Sequence, residues 1–385
     1  MKQITELHQL EYEDLPQVVV NVPGIYTLLG EFSDYCKGYA LCGAAPLTLE
    51  VAISMRADQG VRLFTIQGND RKRFSLQNLK FRREDRWGNY IKGVVAGIIS
   101  RGYPVSGFNL TLSGSLLKSE GSVVASSMCL GAAMAVRTLF SLPLTPDDLA
   151  SVSYVALSSF SGETCRYINF LAMTRAREGS LMLFDVQHLS FEYVPFPKPE
   201  SNVTTLIVES KISPHALQDE LVLKRRESKA TFEKLRTVFP NGLLRDIAEQ
   251  DLKELTTGLT EDEKRICLYV LLESRLAKEG ARLLAQNDMV LYGKVLNKVQ
   301  AGLRDSFEVT CPEIDWLTKR AMETSGCLGA TMITTGSSGT ILVLIVQDAI
   351  ASYTSRMEDY EHIFGFCPRW IVYQPQGDAK ICLNG

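Results

Sequence analysis

A membrane-spanning run is missing from this 385-residue sequence. Its longest apolar stretch, Ile341 to Val346, is one strand long, well below the roughly 18 residues that cross a bilayer. An excess of either charge is missing too. Forty-one Lys and Arg stand against 44 Asp and Glu, a net charge of -3, so no basic field draws the chain to nucleic acid or anionic lipid, and neither is expected as a partner. No Cys-x-x-Cys pair occurs among nine cysteines, and only four histidines accompany them, at 8, 188, 215 and 362. That leaves no ground for a disulfide framework or structural zinc, and most of the thiols read as small buried hydrophobes. The opening MKQITELHQLEYEDLP has neither the basic start nor the apolar core of a signal or transit peptide, so a cytoplasmic protein is expected. Tracts of Gly or Pro are also lacking: 28 Gly and 14 Pro lie scattered in a chain that is 45% hydrophobic and 22% charged, which excludes collagen, disorder and coiled coil.

What remains is an ordinary soluble composition at a length where one hydrophobic core stops growing, so two domains are expected. Apolar runs bounded by turn residues predict strands at Gln17 to Val20, Leu47 to Ile53, Gly60 to Ile66 and Phe108 to Leu112. The Ala-rich stretch Val124 to Phe140 predicts a helix of about four turns after a loop containing Gly and Ser. Three prolines in EYVPFPKPES, Glu192 to Ser201, disfavour helix and place the boundary near residue 200, giving domains 1–200 and 201–385. Beyond it, Thr205 to Ser210 reads as a strand and Glu261 to Gln286 as a long amphipathic helix opened by acidic residues. Pro312 suits a first helical turn, with Gly326 as that helix's C-terminal cap. The last sixty or so residues alternate strand (Gly329 to Ile333), strand (Thr340 to Gln347), helix (Ala349 to Phe364) and strand (Trp370 to Tyr373). The class is α+β.

Four segments then follow one another in a recognisable order. VPGIYTLLGEFSDY, residues 22 to 35, resembles the galactokinase signature Pro-Gly-Arg-Val-Asn-Leu-Ile-Gly-Glu-His-Thr-Asp-Tyr, with Pro23, Gly24, Leu28, Gly30, Glu31, Asp34 and Tyr35 in register. WGNYIKGV from Trp87, LRDSFEVTCPEID from Leu303 and the glycine-rich third motif LGATMITTGSSGT from Leu328 complete the set. FDVQHLSFEYVPFP from Phe184 and YEHIFGFCPRW from Tyr360 also match, so the resemblance runs nearly end to end. On it the chain is identified as a member of the galactokinase branch of the GHMP kinase superfamily. The resemblance implies a two-domain fold, with a ribosomal-protein-S5-domain-2-like N-terminal domain, a ferredoxin-like C-terminal domain and the ligand cleft between them. It also implies ATP with Mg²⁺ as cofactors and galactose, phosphorylated at its anomeric hydroxyl, as substrate.

Position by position, the resemblance makes Glu31 and Asp34 sugar ligands; read without it, Asp34 caps a turn and Glu31 is a solvated acid. Phe32 stands where the family has His, and Ile25 where it has the Arg that leans toward the reacting phosphoryl. Counted from Cys165 and Asp185, the catalytic Asp falls on Asn169, and a carboxamide cannot accept the hydroxyl proton. A sugar-binding Tyr, placed from Arg225, Arg226 and Glu227, falls on Val222 or its neighbour. The phosphate loop Gly-x-Gly-Leu-Ser-Ser-Ser-Ala corresponds to Ser119, Glu120, Gly121, Ser122, Val123, Val124, Ala125 and Ser126; read alone, this stretch is the start of a helix. A shift of one or two residues would let Ser126 and Ser127 serve, and Lys118 could offset Glu120. In the third motif Thr334 and Thr335 replace glycines and Gly336 stays. Trp87 matches an aromatic near the nucleotide base, or is a core Trp.

These changes fall on ligand-facing positions while Tyr90, Phe307 and Pro312 stay. The expectation is a pseudoenzyme that binds sugar or nucleotide and serves in sensing or as a scaffold. The alternative is an active ATP-dependent sugar kinase of altered specificity. Glu120 gives the first test. A carboxylate about 4 Å from phosphate repels it by roughly 4 kcal/mol at an effective dielectric near 20, about half of a micromolar affinity. Glu120→Ala is therefore expected to tighten ATP binding in a calorimetric titration, and an unchanged affinity removes this carboxylate from the account.

Overall fold

The computed structural model describes residues 2–118, 122–197, 202–213, 215–239, 244–247, 257–335 and 339–384. Along the chain run α1 (Lys2–Tyr12), β1 (Val18–Leu29), β2 (Tyr39–Met55), β3 (Gly60–Thr65), β4 (Asp70–Ser75), α2 (Gly88–Ser100), β5 (Phe108–Ser113), α3 (Ser122–Leu139), α4 (Pro146–Val155), α5 (Tyr167–Met173), β6 (Ser180–Asp185), β7 (Ser190–Pro195) and β8 (Val203–Glu209). After them come α6 (His215–Val238), α7 (Glu261–Ala285), α8 (Met289–Asp305), α9 (Pro312–Glu323), β9 (Cys327–Ile333), β10 (Thr340–Val346), α10 (Ile350–Ser355), α11 (Met357–Phe364), β11 (Arg369–Val372) and β12 (Lys380–Asn384). The expected boundary near residue 200 lies outside the described residues. The compact units are not consecutive halves: unit 1 takes Met1–Ile25, Ala44–Glu178 and Gln376–Gly385, and unit 2 takes Tyr26–Gly43 and Gly179–Pro375. Strands β1 and β2 therefore each give residues to both.

In unit 1 the strands lie in the order β12-β1-β2-β5-β3-β4. β3 runs parallel to β5, whereas β4 and β12 join antiparallel to their neighbours. Helix α3 packs closely because it is built of small residues. At Gly131 a Cβ would come within 2.6 Å of Val51 on β2 and 3.2 Å of Val22 on β1, so only glycine permits this approach. Helix α4 starts on a capping box between Thr145 and Asp148 with Pro146 in its first turn. Helix α1 docks on β2 and β5 through a buried histidine. His8 has its Nδ1 2.9 Å from the Thr111 hydroxyl and its Nε2 3.0 Å from the Ser54 hydroxyl.

In unit 2, four strands in the order β11-β8-β10-β9 form an antiparallel sheet. Leu342 pairs with Ile207 on one side and Thr331 on the other. The run TILVLIV explains its central place, since all but the last residue of β10 are buried. The first residues of β2 pair with β6, Tyr39 opposite Asp185 through Cys42 opposite Met182, and β6 pairs with β7. Helix α7 starts on a capping box of Thr260 and Glu263 and α9 on Pro312. The α9 cap differs from expectation: the helix ends at Glu323, and Gly326, at φ 91°, turns the chain into β9. The expected helix Ala349 to Phe364 is two helices parted at Arg356.

The buried His8 makes unit 1 sensitive to acid. Burial pushes its pKa down from 6.5 to about 4, with nearby Asp14 opposing weakly. Between those values the unfolded chain binds a proton that the folded chain refuses, so stability rises with pH across the window. Stability is expected to fall by on the order of 3 kcal/mol from this residue as pH drops from about 6.5 to about 4. His8→Gln, which cannot charge, should be less stable at neutral pH but flatter across that window in urea unfolding. Parallel profiles for the two proteins would refute the assignment.

Candidate functional site

In unit 2 the site begins where β1 ends. Gly30 sits at φ 83° with its ideal Cβ position 2.2 Å from the Tyr39 carbonyl oxygen, so no other residue fits, and the chain reverses through residues 31 to 37. Glu31 follows and is only 4% exposed. Its Oε1 accepts a hydrogen bond from Arg225 Nη2 of α6 at 2.5 Å, and its Oε2 accepts one from the Thr335 hydroxyl at 2.9 Å. Thr335 also accepts the Thr27 N–H at 2.9 Å. From α7 the carboxylate of Glu273, itself buried, accepts the backbone N–H groups of Glu31 and Phe32 at 3.1 and 3.2 Å. Arg225 in turn lies 5.0 Å from the ring centroid of Phe32. Burial pushes the Tyr35 phenol up, with Arg225 opposing.

These facts change several expectations. Glu31 is no solvated acid. Phe32, in the histidine's place, is fully buried, its ring 4.4 Å from that of Phe307 and 6.4 Å from that of Tyr269. It has become core. Asp34 is half-buried in the turn. Val222 is 44% exposed on α6 and joins no part of this cluster. Thr334 and Thr335 are buried, and Gly336 lies outside the described residues. Sequence reasoning missed Arg225 and Glu273. Arg225 stood in a motif that served only to count residues, whereas Glu273 gave no signal in a helix rich in acids.

In unit 1, Ile25 is buried on β1. Asn169, in the first turn of α5, is 4% exposed, and its Oδ1 meets no hydrogen-bond partner among the described residues. Ser126 on α3 is equally buried, and its hydroxyl also lacks a partner among them. Ser127 is committed: its hydroxyl donates to the Val123 carbonyl at 3.0 Å, with the Pro23 carbonyl at 3.2 Å. Ser119, Glu120 and Gly121 lie outside the described residues, and Ser122 is the first residue of α3. Val123, Val124 and Ala125 are buried in its first turn, and Val123 Cγ1 occupies the space above Gly24, 2.9 Å from where a Cβ there would stand. Trp87 is half-buried, and its indole N–H donates to Asp70 at 2.9 Å. Burial works against the charge on Asp70, but Trp87 and Lys72 outweigh it and hold the carboxyl below its usual range.

Chemically, unit 2 holds a buried carboxylate oriented by a cation and a hydroxyl, an arrangement suited to fixing hydroxyl groups. Of the buried polar atoms in unit 1 that lack a partner among the described residues, Asn169 Oδ1 and Ser126 Oγ stand at positions the resemblance assigns to the ligand, and such atoms suit a polar ligand. Val123, Val124 and Ala125 bring no oxygen to a metal ion, and among the described residues no group of three or more His, Cys, Asp or Glu gathers as a metal site. No described helix is long and apolar enough to cross a membrane.

Against known proteins, the family description "Galactokinase galactose-binding signature" matches residues 6–55, the stretch that carries Ile25, Glu31, Phe32 and Asp34. The chain is 26% identical over 361 residues to a galactokinase of Roseiflexus sp., covering 94% of this chain and 91% of that one. It is similar in fold to Lactococcus lactis galactokinase complexed with galactose, with a TM-score of 0.90 at 21% identity over 98% of this chain and 99% of that one. A mevalonate kinase of Methanococcus jannaschii follows at a TM-score of 0.61 and 16% identity, covering 94% and 98%. The fold is the two-domain α+β fold of these kinases. With the signature, the relatives and the fold in agreement, the chain belongs to the galactokinase branch of the GHMP kinase superfamily.

Proposed function

We propose that this galactokinase-family protein binds sugar but transfers phosphoryl from ATP to the anomeric hydroxyl poorly or not at all, and works as a sugar- or nucleotide-binding sensor or scaffold. Asn169 carries the reading. It occupies the position of the family's catalytic Asp by count, and its carboxamide is buried. A carboxamide oxygen can accept a hydrogen bond from a hydroxyl and so orient it, but it cannot take the proton. Losing a general base typically costs about 100- to 10,000-fold. Ile25, buried and apolar, brings no cation to the transferring phosphoryl, whose reaction depends mainly on positioning and charge.

ATP is the family's phosphoryl donor. The residues here fit it in part: the backbone N–H groups that open α3 and the orphaned Ser126 hydroxyl would hold phosphate oxygens. The buried Val123, Val124 and Ala125 supply no ligand to magnesium, so no step is assigned to the metal. One observation favours the second reading, an ATP-dependent sugar kinase of altered specificity. Asn169 Oδ1 and Ser126 Oγ are buried polar atoms without partners among the described residues, and such atoms cost stability unless a ligand satisfies them.

Purified protein should release little or no ADP on addition of galactose in a coupled assay. Turnover within about tenfold of the usual 1 to 100 per second would overturn the inactive reading. Restoration provides the complementary test. Asn169→Asp returns a base and Ile25→Arg a cation, and because both serve one transition state their effects need not add. Sugar 1-phosphate should appear in the double variant and not in either single one. Thermal melts accompany the assay because Ile25 is buried. A folded double variant that binds galactose and ATP yet stays silent would remove Asn169 from the catalytic position.

A further inference from the structure

Helix α7 lays Arg275, Lys278 and Arg282 along one face, spaced i, i+3 and i+7, with the short Ser274, Ala281 and Ala285 between them. This face walls an open cavity of about 800 Å³ in unit 2, lined elsewhere by β6, β7, Tyr39 and the stretch Arg245 to Ile247. The volume lies within the range that takes small ligands, about 300 to 1,000 Å³. Neither Glu31, Arg225 nor Thr335 lines it.

The cavity's charges are unevenly matched. Arg282 is held by Glu279 at 2.6 Å and Arg245 by Asp185 at 2.6 Å. Arg275 donates only to the neutral Ile247 carbonyl, and Lys278 Nζ rests 4.8 Å from the Tyr39 ring centroid. Among the described residues neither of these two cations meets a carboxylate. Arg245 adds an inner donor. Its side chain is 6% exposed, its Nε finds no hydrogen-bond acceptor among the described residues, and Asp246 Oδ1 stands 3.9 Å off. Three carboxylates also line the cavity: Glu279 pairs with Arg282, Asp246 stands by Arg245, and Glu192 of β7 has no ion pair among the described residues. Two cations that meet no carboxylate among the described residues match the charge of a phosphate monoester, and the planar Arg275 fork suits its oxygens. The unpaired Glu192 carboxylate in the same lining suits hydroxyl groups.

We propose that this cavity is a second ligand site, for a phosphate monoester of a polyhydroxylated small molecule such as a phosphosugar, held by Arg275, Lys278 and Arg245 at the phosphate and by Glu192 at a hydroxyl. It is separate from the cluster around Glu31 and stands whether or not the protein transfers phosphoryl.

Calorimetric titration of the full chain with glucose 6-phosphate, inorganic phosphate and glucose tests it. Glucose 6-phosphate should bind saturably and more tightly than phosphate, and glucose should not bind there. Arg275→Gln with Lys278→Met should weaken glucose 6-phosphate by at least about tenfold, as expected for lost charge-assisted contacts, and Lys278→Arg should keep most of the affinity. Lys278 is exposed, so its replacement leaves the fold intact; unchanged melting temperatures check this. Glu192→Ala should weaken glucose 6-phosphate severalfold and leave inorganic phosphate unchanged. Absence of saturable binding at millimolar concentrations, full affinity in the double variant, or displacement by excess galactose would each overturn the proposal.

Discussion

The buried pairing of Glu31 with Arg225 organises unit 2. A carboxylate that is 4% exposed is tolerable only when its desolvation is offset, and here a guanidinium and the Thr335 hydroxyl approach its two oxygens from different elements. Removing one partner of such a pair typically costs about 3 to 5 kcal/mol, because a buried charge is left behind. The turn after Gly30, the middle of α6 and the segment that follows β9 are thereby tied to one carboxylate. Glu273 adds a second anchor by accepting the N–H groups of the same turn, so the backbone as well as the side chain of Glu31 is fixed.

Seen from this pair, the replacements at family positions form a coherent packing. Phe32 fills an aromatic cluster with Tyr269 and Phe307 and offers its face to Arg225. Val123 fills the space above Gly24. Thr335, larger than the glycine it replaces, donates to the carboxylate and accepts from the Thr27 N–H. At each of these three positions the side chain present is held by contacts within the protein.

Much of this was legible because it depends on local pattern. The apolar run of β10, the acidic opening of α7 and the first-turn Pro312 each announce an element through its own residues, and the first motif puts Glu31 in the turn after Gly30, whereas Asn169 is assigned its role only by counting from Cys165 and Asp185. What escaped depends on distance or on the absence of a pattern. Strand β4, DRKRFS, buries none of its residues, so no hydrophobic period marks it, and only pairing with β3 makes it a strand. Helix α1 hides its docking residue as a histidine. Arg225 reaches Glu31 across 194 positions, which no spacing rule spans. The expected boundary near residue 200 followed three prolines, whereas β1 and β2 serve both units.

The pairing of β12 with β1 bears on how the chain matures. Val18 to Asn21 lie opposite residues that close the described sequence, Asn384 back to Lys380. While the ribosome is still at work, β1 therefore has one side of its ladder empty until some 360 further residues have emerged. At usual elongation rates of about 5 to 20 residues per second that interval is on the order of a minute or less. An apolar strand with an open edge is a template for unwanted pairing. The sheet of unit 1 is thus completed only once Lys380 to Asn384 have emerged, and until then the free edge of β1 is open to mispairing.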